Sequence, residues 1–290
     1  MIGDQYIPLP SGVLAFGEGI QEENIHEIVK RWHENITNIS FFLILAGSQT
    51  AEIEGISSAG STPISRRFTA VADAELLLRG PSSPRRWPLP PLPAGVSPAL
   101  ISYVASSFLK IKPTIISAGL LQTPSFRHIY FESSKIGPAR CLSSGNAMDI
   151  SRVELLFENG FEIGKKSRNP ILIAECVPGG TTTAFAVLSG LGIKVNGLIS
   201  GSHRNPPSGL KTKVVNQGLK AAKLKKNPSS NDLMAAVGDP FQPIAVGLLM
   251  GAIESGQDIL LGGGCQMLAV LALALNQVEP DSRSKFVEKI

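Results

Sequence analysis

Ile171-Leu172-Ile173-Ala174-Glu175-Cys176-Val177-Pro178-Gly179-Gly180-Thr181-Thr182-Thr183 reads as a buried strand running into a glycine-rich turn, and Ala184-Phe185-Ala186-Val187-Leu188 reads as the opening of a helix. Such a turn leaves backbone N–H groups at the positive end of the helix dipole, a setting that suits an anionic phosphate. The glycines let the backbone approach a ligand, and the threonines cap the helix or donate from their hydroxyls. A carboxylate at the strand tip is costly without partners. Glu175 therefore reads as a residue held for a task, or as one paired inside a polar pocket. The turn carries neither the Gly-Lys-Ser/Thr ending of a P-loop nor a Gly-x-Gly-x-x-Gly pattern. On the residues alone its glycines could also serve only to make the turn.

On either side of this unit, apolar strand runs alternate with helical patterns. Strands are predicted over 41–46, 114–118, 193–199 and 258–261. Helices are predicted over 20–35, 66–78, 97–109, 150–164, 210–224 and 243–254, with a further buried helix after 264. Apolar strands alternating with helices imply an α/β fold, a doubly wound, mostly parallel sheet with helices on both faces. A second glycine turn, Gly262-Gly263-Gly264, follows the late strand. Two such turns at strand tips, where open parallel sheets bind ligands, point to a phosphorylated ligand. Residues 81–98 are proline-dense, yet Trp87, Leu89, Leu92 and Val96 between the prolines predict an ordered segment on the fold's surface rather than a linker.

Composition narrows the function classes. Hydrophobic content of 43% with 17% charged residues supports a core and excludes disorder. A net charge of +4 over 290 residues, with no basic stripe interleaved with aromatics, argues against nucleic acid. Cys141, Cys176 and Cys265 have neither zinc spacing nor a disulfide framework, so a reducing cytoplasm is expected and no metal or cofactor is signalled. The N-terminus lacks signal-peptide character, and the apolar run 259–275 is short and broken by glycines, so no membrane association is expected. Lys211, His203 and Arg204 lie between the two turns as candidate cations. On spacing alone Lys211 also fits a solvated helix lysine, and His203 and His128 fit loop hydrogen-bonders. Ser48 lacks a nucleophile-elbow setting.

Further stretches carry a resemblance: Gly55-Ile56-Ser57-Ser58-Ala59-Gly60, Pro90-Pro91-Leu92-Pro93-Ala94-Gly95-Val96-Ser97-Pro98, Ala236-Val237-Gly238-Asp239-Pro240-Phe241-Gln242-Pro243 and Leu261-Gly262-Gly263-Gly264-Cys265-Gln266. With residues 175–183 they resemble the nicotinate-nucleotide:dimethylbenzimidazole phosphoribosyltransferases of cobalamin nucleotide-loop assembly, and in particular a divergent branch often labelled uncharacterised. The likeness spans most of the chain from about residue 40 onward.

The resemblance implies a doubly wound sheet (41–277), a small helical subdomain to which the N-terminal segment (1–40) contributes, and a homodimer. It implies transfer of the 5-phosphoribosyl group of nicotinate mononucleotide to a benzimidazole or purine-like base, releasing nicotinate, without a cofactor. It places Glu175, Gly179, Thr181 and Thr182 beside the nucleotide phosphate, with Gly180 standing where the family has an asparagine. It brings Lys211 to the phosphate, aligns the late turn at Gly263 and Gly264, and maps the acceptor-base pocket to Ser58 and the helix bearing Asp73. The family's general base is a glutamate in a glycine-rich C-terminal segment. Residues 278–290 hold Glu279 and Glu288 and no glycine, so the base is expected beyond Ile290 and this stretch reads as the start of a truncated segment. The alternative is a catalytically silent nucleotide-binding or regulatory protein, and an unrelated α/β enzyme of another phosphorylated metabolite also fits the turn alone.

Overall fold

The computed structural model describes residues 9, 11, 13–15, 22–89, 97–199, 201 and 205–290. The readings made for His203, Arg204, Leu92 and Val96, and the stretch 90–96, fall outside these residues.

Five strands form one sheet: β1 (Ser40–Ala46), β2 (Thr114–Ala118), β3 (Ile129–Tyr130), β4 (Ile171–Cys176) and β5 (Ile259–Leu261). Their order is β3-β2-β1-β4-β5 and every pairing is parallel. The helices are α1 (Glu22–Glu34), α2 (Pro63–Arg79), α3 (Pro98–Leu109), α4 (Ile150–Lys166), α5 (Gly180–Gly190), α6 (Ser208–Ala222), α7 (Ser230–Val237), α8 (Phe241–Glu254), α9 (Cys265–Leu275) and α10 (Arg283–Val287).

The pleat of β1 explains its unbroken apolar sequence. Phe41, Leu43 and Leu45 face one layer with Ala70, Val71, Ala74 and Leu77 of α2. Phe42, Ile44 and Ala46 face the other, with Val153 and Leu156 of α4, Ala184 and Val187 of α5, and Ile244 and Leu248 of α8. A strand covered on both faces has no polar side to present. In β4 the same alternation sends Ile171 and Ile173 to the second layer and Leu172, Ala174 and Cys176 to the first. The chain leaves β1 toward β2 and β3, then crosses back to β4 on the other flank. The switch point, where open sheets of this kind hold ligands, therefore lies between the C-terminal tips of β1 and β4.

Helices α4 and α8 meet backbone to backbone. A methyl on Gly160 or Gly164 would stand 2.3 Å from the Ile244 carbonyl oxygen or 2.2 Å from that of Leu248. A methyl on Gly247 or Gly251 would stand 2.1 or 2.2 Å from the Phe157 or Phe161 carbonyl oxygen. At residues 278–290, Phe286 joins the core and the Lys289 carbonyl accepts the Ile259 N–H at 2.7 Å.

Several features differ from the sequence reading, among them β3 and α10, which were not read. Residues 193–199 form turns rather than a strand: Gly192 and Gly197 adopt φ of +82° and +79°, and Leu198 is 74% exposed. The helix α7 is present without having been read. Its start is capped by Ser229, whose side chain accepts from the Asp232 N–H, and its interior buries Leu233 and Met234. Within the proline-dense segment, Glu75 accepts the N–H groups of Arg86 and Trp87 at 2.9 and 3.3 Å, and Trp87 stacks on Phe68. Residues up to 89 are thus tied to α2 as an ordered surface strap. No helix among the described residues is long and apolar enough to cross a membrane.

Candidate functional site

A cavity of about 410 Å³ opens at the switch point. The turn after β4 forms one side of it. Gly179 takes a φ of +79° and its α-carbon faces the Ala51 backbone so closely that a side-chain methyl would sit 3.1 Å away. Only glycine fits both demands at low cost. The N–H groups of Gly180 and Thr182 close the turn internally on the carbonyls of Val177 and Gly179. Those of Gly179 and Thr181 take no hydrogen bond among the described residues, so the turn offers fewer open donors than its sequence suggests.

Lys211, on α6, is 1% exposed and donates to the Thr181 hydroxyl at 2.8 Å. Burial lowers its pKa, with Cys265 opposing the change. It is therefore not a solvated lysine. A buried ammonium beside a helix N-terminus is a pair of groups that suits a phosphate.

Glu175 lines the cavity at the strand tip, its carboxylate accepting the Val177 N–H at 2.7 Å. Burial pushes it up to about 7, the Asp239 charge adds to the shift, and the Val177 N–H opposes it. Beneath the turn lies a buried polar network. Asp239 is fully buried and accepts from the Thr183 hydroxyl, from Gln266 Nε2 at 2.7 Å and from the Phe241 N–H at 3.0 Å. Gln242 donates to Gln266 Oε1 at 3.0 Å. Asp239 thereby ties the starts of α5, α8 and α9 together. Burial raises its own pKa, against its hydrogen bonds.

The opposite side of the cavity belongs to α2, α3 and the loop after β1. Arg66, 4% exposed, donates to the carbonyls of Ala51, Ile53 and Gly60 and fixes that loop, which carries Ser58. Burial lowers the Arg66 pKa, with Glu54 opposing. Asp73 faces the cavity from α2 and accepts the Ser97 hydroxyl at 2.7 Å; Cys176 approaches its other oxygen at 3.6 Å. Burial raises the Asp73 pKa against those hydrogen bonds, and burial followed by the Asp73 and Glu175 charges holds the Cys176 thiol well above its usual range. A raised thiol has little thiolate character, which disfavours a nucleophilic role.

Of the residues singled out in the sequence, Ser58, Asp73, Glu175, Gly179, Gly180, Thr181 and Lys211 line this one cavity. Thr182 does not. It is wholly buried outside the lining, with its hydroxyl unpartnered among the described residues. Gly263 and Gly264 also lie outside the lining, and their neighbour Gly262 takes the place expected of them. Glu279 and Glu288 are exposed and are not among the lining residues, and Asp73 and Glu175 are the cavity's carboxylates among the described residues. No group of His, Cys, Asp and Glu among the described residues could hold a metal ion. Thr183, Ser97, Cys176, Asp239 and Gln266 received no role from the sequence. Asp239 and Gln266 stood inside stretches that carried the resemblance, which is the signal that could have found them.

No protein-family model matches the chain. It is 53% identical over 282 residues to a UPF0284 protein of Prochlorococcus marinus strain MIT 9313, covering 97% of this chain and 70% of that protein. It is 50% identical over 282 residues to a UPF0284 protein of Parasynechococcus marenigrum strain WH8102, covering 97% and 71%. Among solved structures, CobT from Thermus thermophilus superposes with a TM-score of 0.64 at 16% identity, covering 87% of this chain and 68% of that one. A nicotinate-nucleotide-dimethylbenzimidazole phosphoribosyltransferase from the same organism gives 0.61 at 15% identity, covering 87% and 67%. At these identities the likeness to the solved structures is one of fold.

Proposed function

The chain belongs to the UPF0284 family, and from that premise we propose that it is a phosphoribosyltransferase that moves the 5-phosphoribosyl group of nicotinate mononucleotide to a benzimidazole or purine-like base. The observation that carries this reading is the pairing of buried Lys211 with Thr181 at the turn after β4, in a cavity whose other side includes Phe41, Leu43, Leu77 and Ala174. The first side suits a phosphate and the second a flat ring.

In this reading the phosphate rests on the turn and on Lys211, and so holds the ribose carbon in place for attack. The bond from C1′ to the nicotinate nitrogen breaks, and its electron pair leaves on that nitrogen, which loses its positive charge. The acceptor's unprotonated ring nitrogen supplies the pair for the new bond to C1′, and the proton on the other nitrogen of that five-membered ring passes to a base. Positive charge grows on the ribose as the old bond lengthens. The Glu175 carboxylate, a lining residue of the cavity, would stabilise that charge. The proton acceptor is expected to be a carboxylate.

The test is incubation of the protein with nicotinate mononucleotide and candidate bases, with chromatographic measurement of nicotinate. Base-dependent nicotinate release with matching appearance of a base ribotide supports the reading. Tight nucleotide binding without release supports the second reading, a silent nucleotide-binding protein, which is favoured by the absence of Glu279 and Glu288 from the cavity. The cytoplasmic setting and the homodimer belong to the same proposal. For the dimer, α3 supplies a surface: Ile101, Val104 and Phe108 are exposed on a helix without a charged residue. Sedimentation as a monomer at micromolar concentration would speak against it.

A further inference from the structure

We propose that Asp73 sets the choice of acceptor, its open carboxylate oxygen selecting an aromatic base with an exocyclic amino group over one whose far edge carries only carbon. This rests on the transfer reading above and deepens it.

The Ser97 hydroxyl donates to Asp73 Oδ1 at 2.7 Å, and its oxygen already receives the Ala99 N–H at 3.2 Å. The serine proton is therefore committed to Asp73, and one carboxylate oxygen is fixed. The neighbour of the other oxygen is the Cys176 thiol at 3.6 Å, a weak donor. No cation pairs with Asp73 among the described residues. The lining on this side joins apolar Phe41, Leu43, Leu77 and Ala174 to Ser58, Thr69 and Ser102, and the hydroxyls of Thr69 and Ser102 donate to the Ala59 and Pro98 carbonyls rather than to Asp73. Oδ2 thus has less hydrogen bonding than a carboxylate oxygen requires.

In the empty cavity water can make up the difference. A bound ring displaces that water. A ring that brings an N–H to Oδ2 restores the lost bond, and a ring that brings a methyl or a C–H strands the oxygen. The cost of an unsatisfied buried acceptor exceeds the gain from a made hydrogen bond, so a site of this kind discriminates mainly by rejection. The pleat of β4 supports the placement. It turns Cys176 toward Asp73 and Glu175 toward Asp239, so amino-group selection and ribose stabilisation fall on opposite sides of one strand.

The experiment compares purine with 6-aminopurine, two rings that differ only in the amino group, and includes 5,6-dimethylbenzimidazole. Nicotinate release gives kcat/KM for each base with the wild-type chain and with Asp73→Asn. Titration of each base in the presence of nicotinate mononucleotide gives its affinity independently of turnover. The wild type should favour 6-aminopurine by about 10- to 100-fold over purine. In Asp73→Asn the Ser97 proton holds the amide oxygen, so the amide nitrogen faces the cavity, and the preference should vanish or reverse with nucleotide affinity unchanged. Equal use of the two purines by the wild type, a preference for dimethylbenzimidazole, or an unaltered ratio in Asp73→Asn would overturn the proposal. Should no base give nicotinate release, the transfer reading fails, and the affinity ratio alone decides the role of Asp73: a preference upholds it, and equal or absent binding overturns it.

Discussion

Replacing Lys211 by methionine keeps the aliphatic stem and removes the charge. In the ligand-free protein the change should be close to neutral. The ammonium is buried and its pKa is lowered by that burial, so the charged form is held at a cost; that cost offsets the lost hydrogen bonding, the bond to Thr181 included. A lysine whose folded pKa is depressed makes stability rise with pH as the folded form sheds its proton before the unfolded form does, and Lys211→Met should remove that alkaline rise. Ligand binding should respond in the opposite sense. Truncating one partner of a desolvated charge pair costs about 2–5 kcal/mol; taking about 2.7 kcal/mol, affinity for nicotinate mononucleotide falls roughly 100-fold. At a ligand concentration of about 100 Kd for the wild type, ligand stabilises the wild-type fold by about 2.7 kcal/mol and the variant by about 0.4 kcal/mol. With roughly 2–4 °C per kcal/mol for a domain of this size, the ligand-induced shift in Tm drops from about 5–10 °C to about 1 °C. Thermal unfolding by calorimetry with and without ligand measures both effects. A variant that keeps the wild-type ligand shift would refute the assignment of Lys211 to the phosphate.

Three further outcomes are expected. Glu175, raised to about 7, is protonated more readily when folded than unfolded. Its contribution to stability is therefore full below about pH 4 and lost as pH rises to about 7. Glu175→Gln should flatten that fall in urea titrations, and it should also remove the acid limb near pH 7 from the rate profile. Gly164→Ala places a methyl 2.2 Å from the Leu248 carbonyl oxygen, so it should destabilise the fold by about 2–3 kcal/mol in urea without changing nucleotide affinity in the surviving folded protein. Asp239→Ala strips the acceptor from the Thr183 hydroxyl and Gln266 Nε2, and should cost about 2–4 kcal/mol of stability. Because the turn after β4 rests on that network, its nucleotide affinity should fall as well, which titration calorimetry would show.

What the sequence made legible was local. The apolar run of β1 and the strand, turn and helix at 171–190 are each set by neighbours a few residues apart, and each appears as read. The failures are of two kinds. At 193–199 the apolar residues suggested a strand, but Gly192 and Gly197 in left-handed conformations break the extension a strand needs. At the site, chemistry is assembled across distance. Lys211 reaches Thr181 from 30 positions away and Cys176 reaches Asp73 from 103. Spacing within a segment says nothing about such meetings, so the burial of Lys211 was invisible. In the glycine turns the right segments were found with the wrong phase. Thr182 turns into the core one position past Thr181, and Gly262 lines the cavity one position before Gly263. Which residue of a turn faces a ligand depends on backbone angles that the residue types leave open. The pairs Gly160/Gly164 and Gly247/Gly251 stood in plain view four residues apart, yet their meaning required knowing that α4 and α8 face each other.

In a crystal of the protein soaked with nicotinate mononucleotide, the phosphate should lie on the turn after β4, within hydrogen-bond distance of Thr181 Oγ1 and Lys211 Nζ, with the ribose between Glu175 and the side of the cavity that carries Asp73. Nucleotide bound elsewhere, or with its phosphate turned away from Lys211, would contradict this placement.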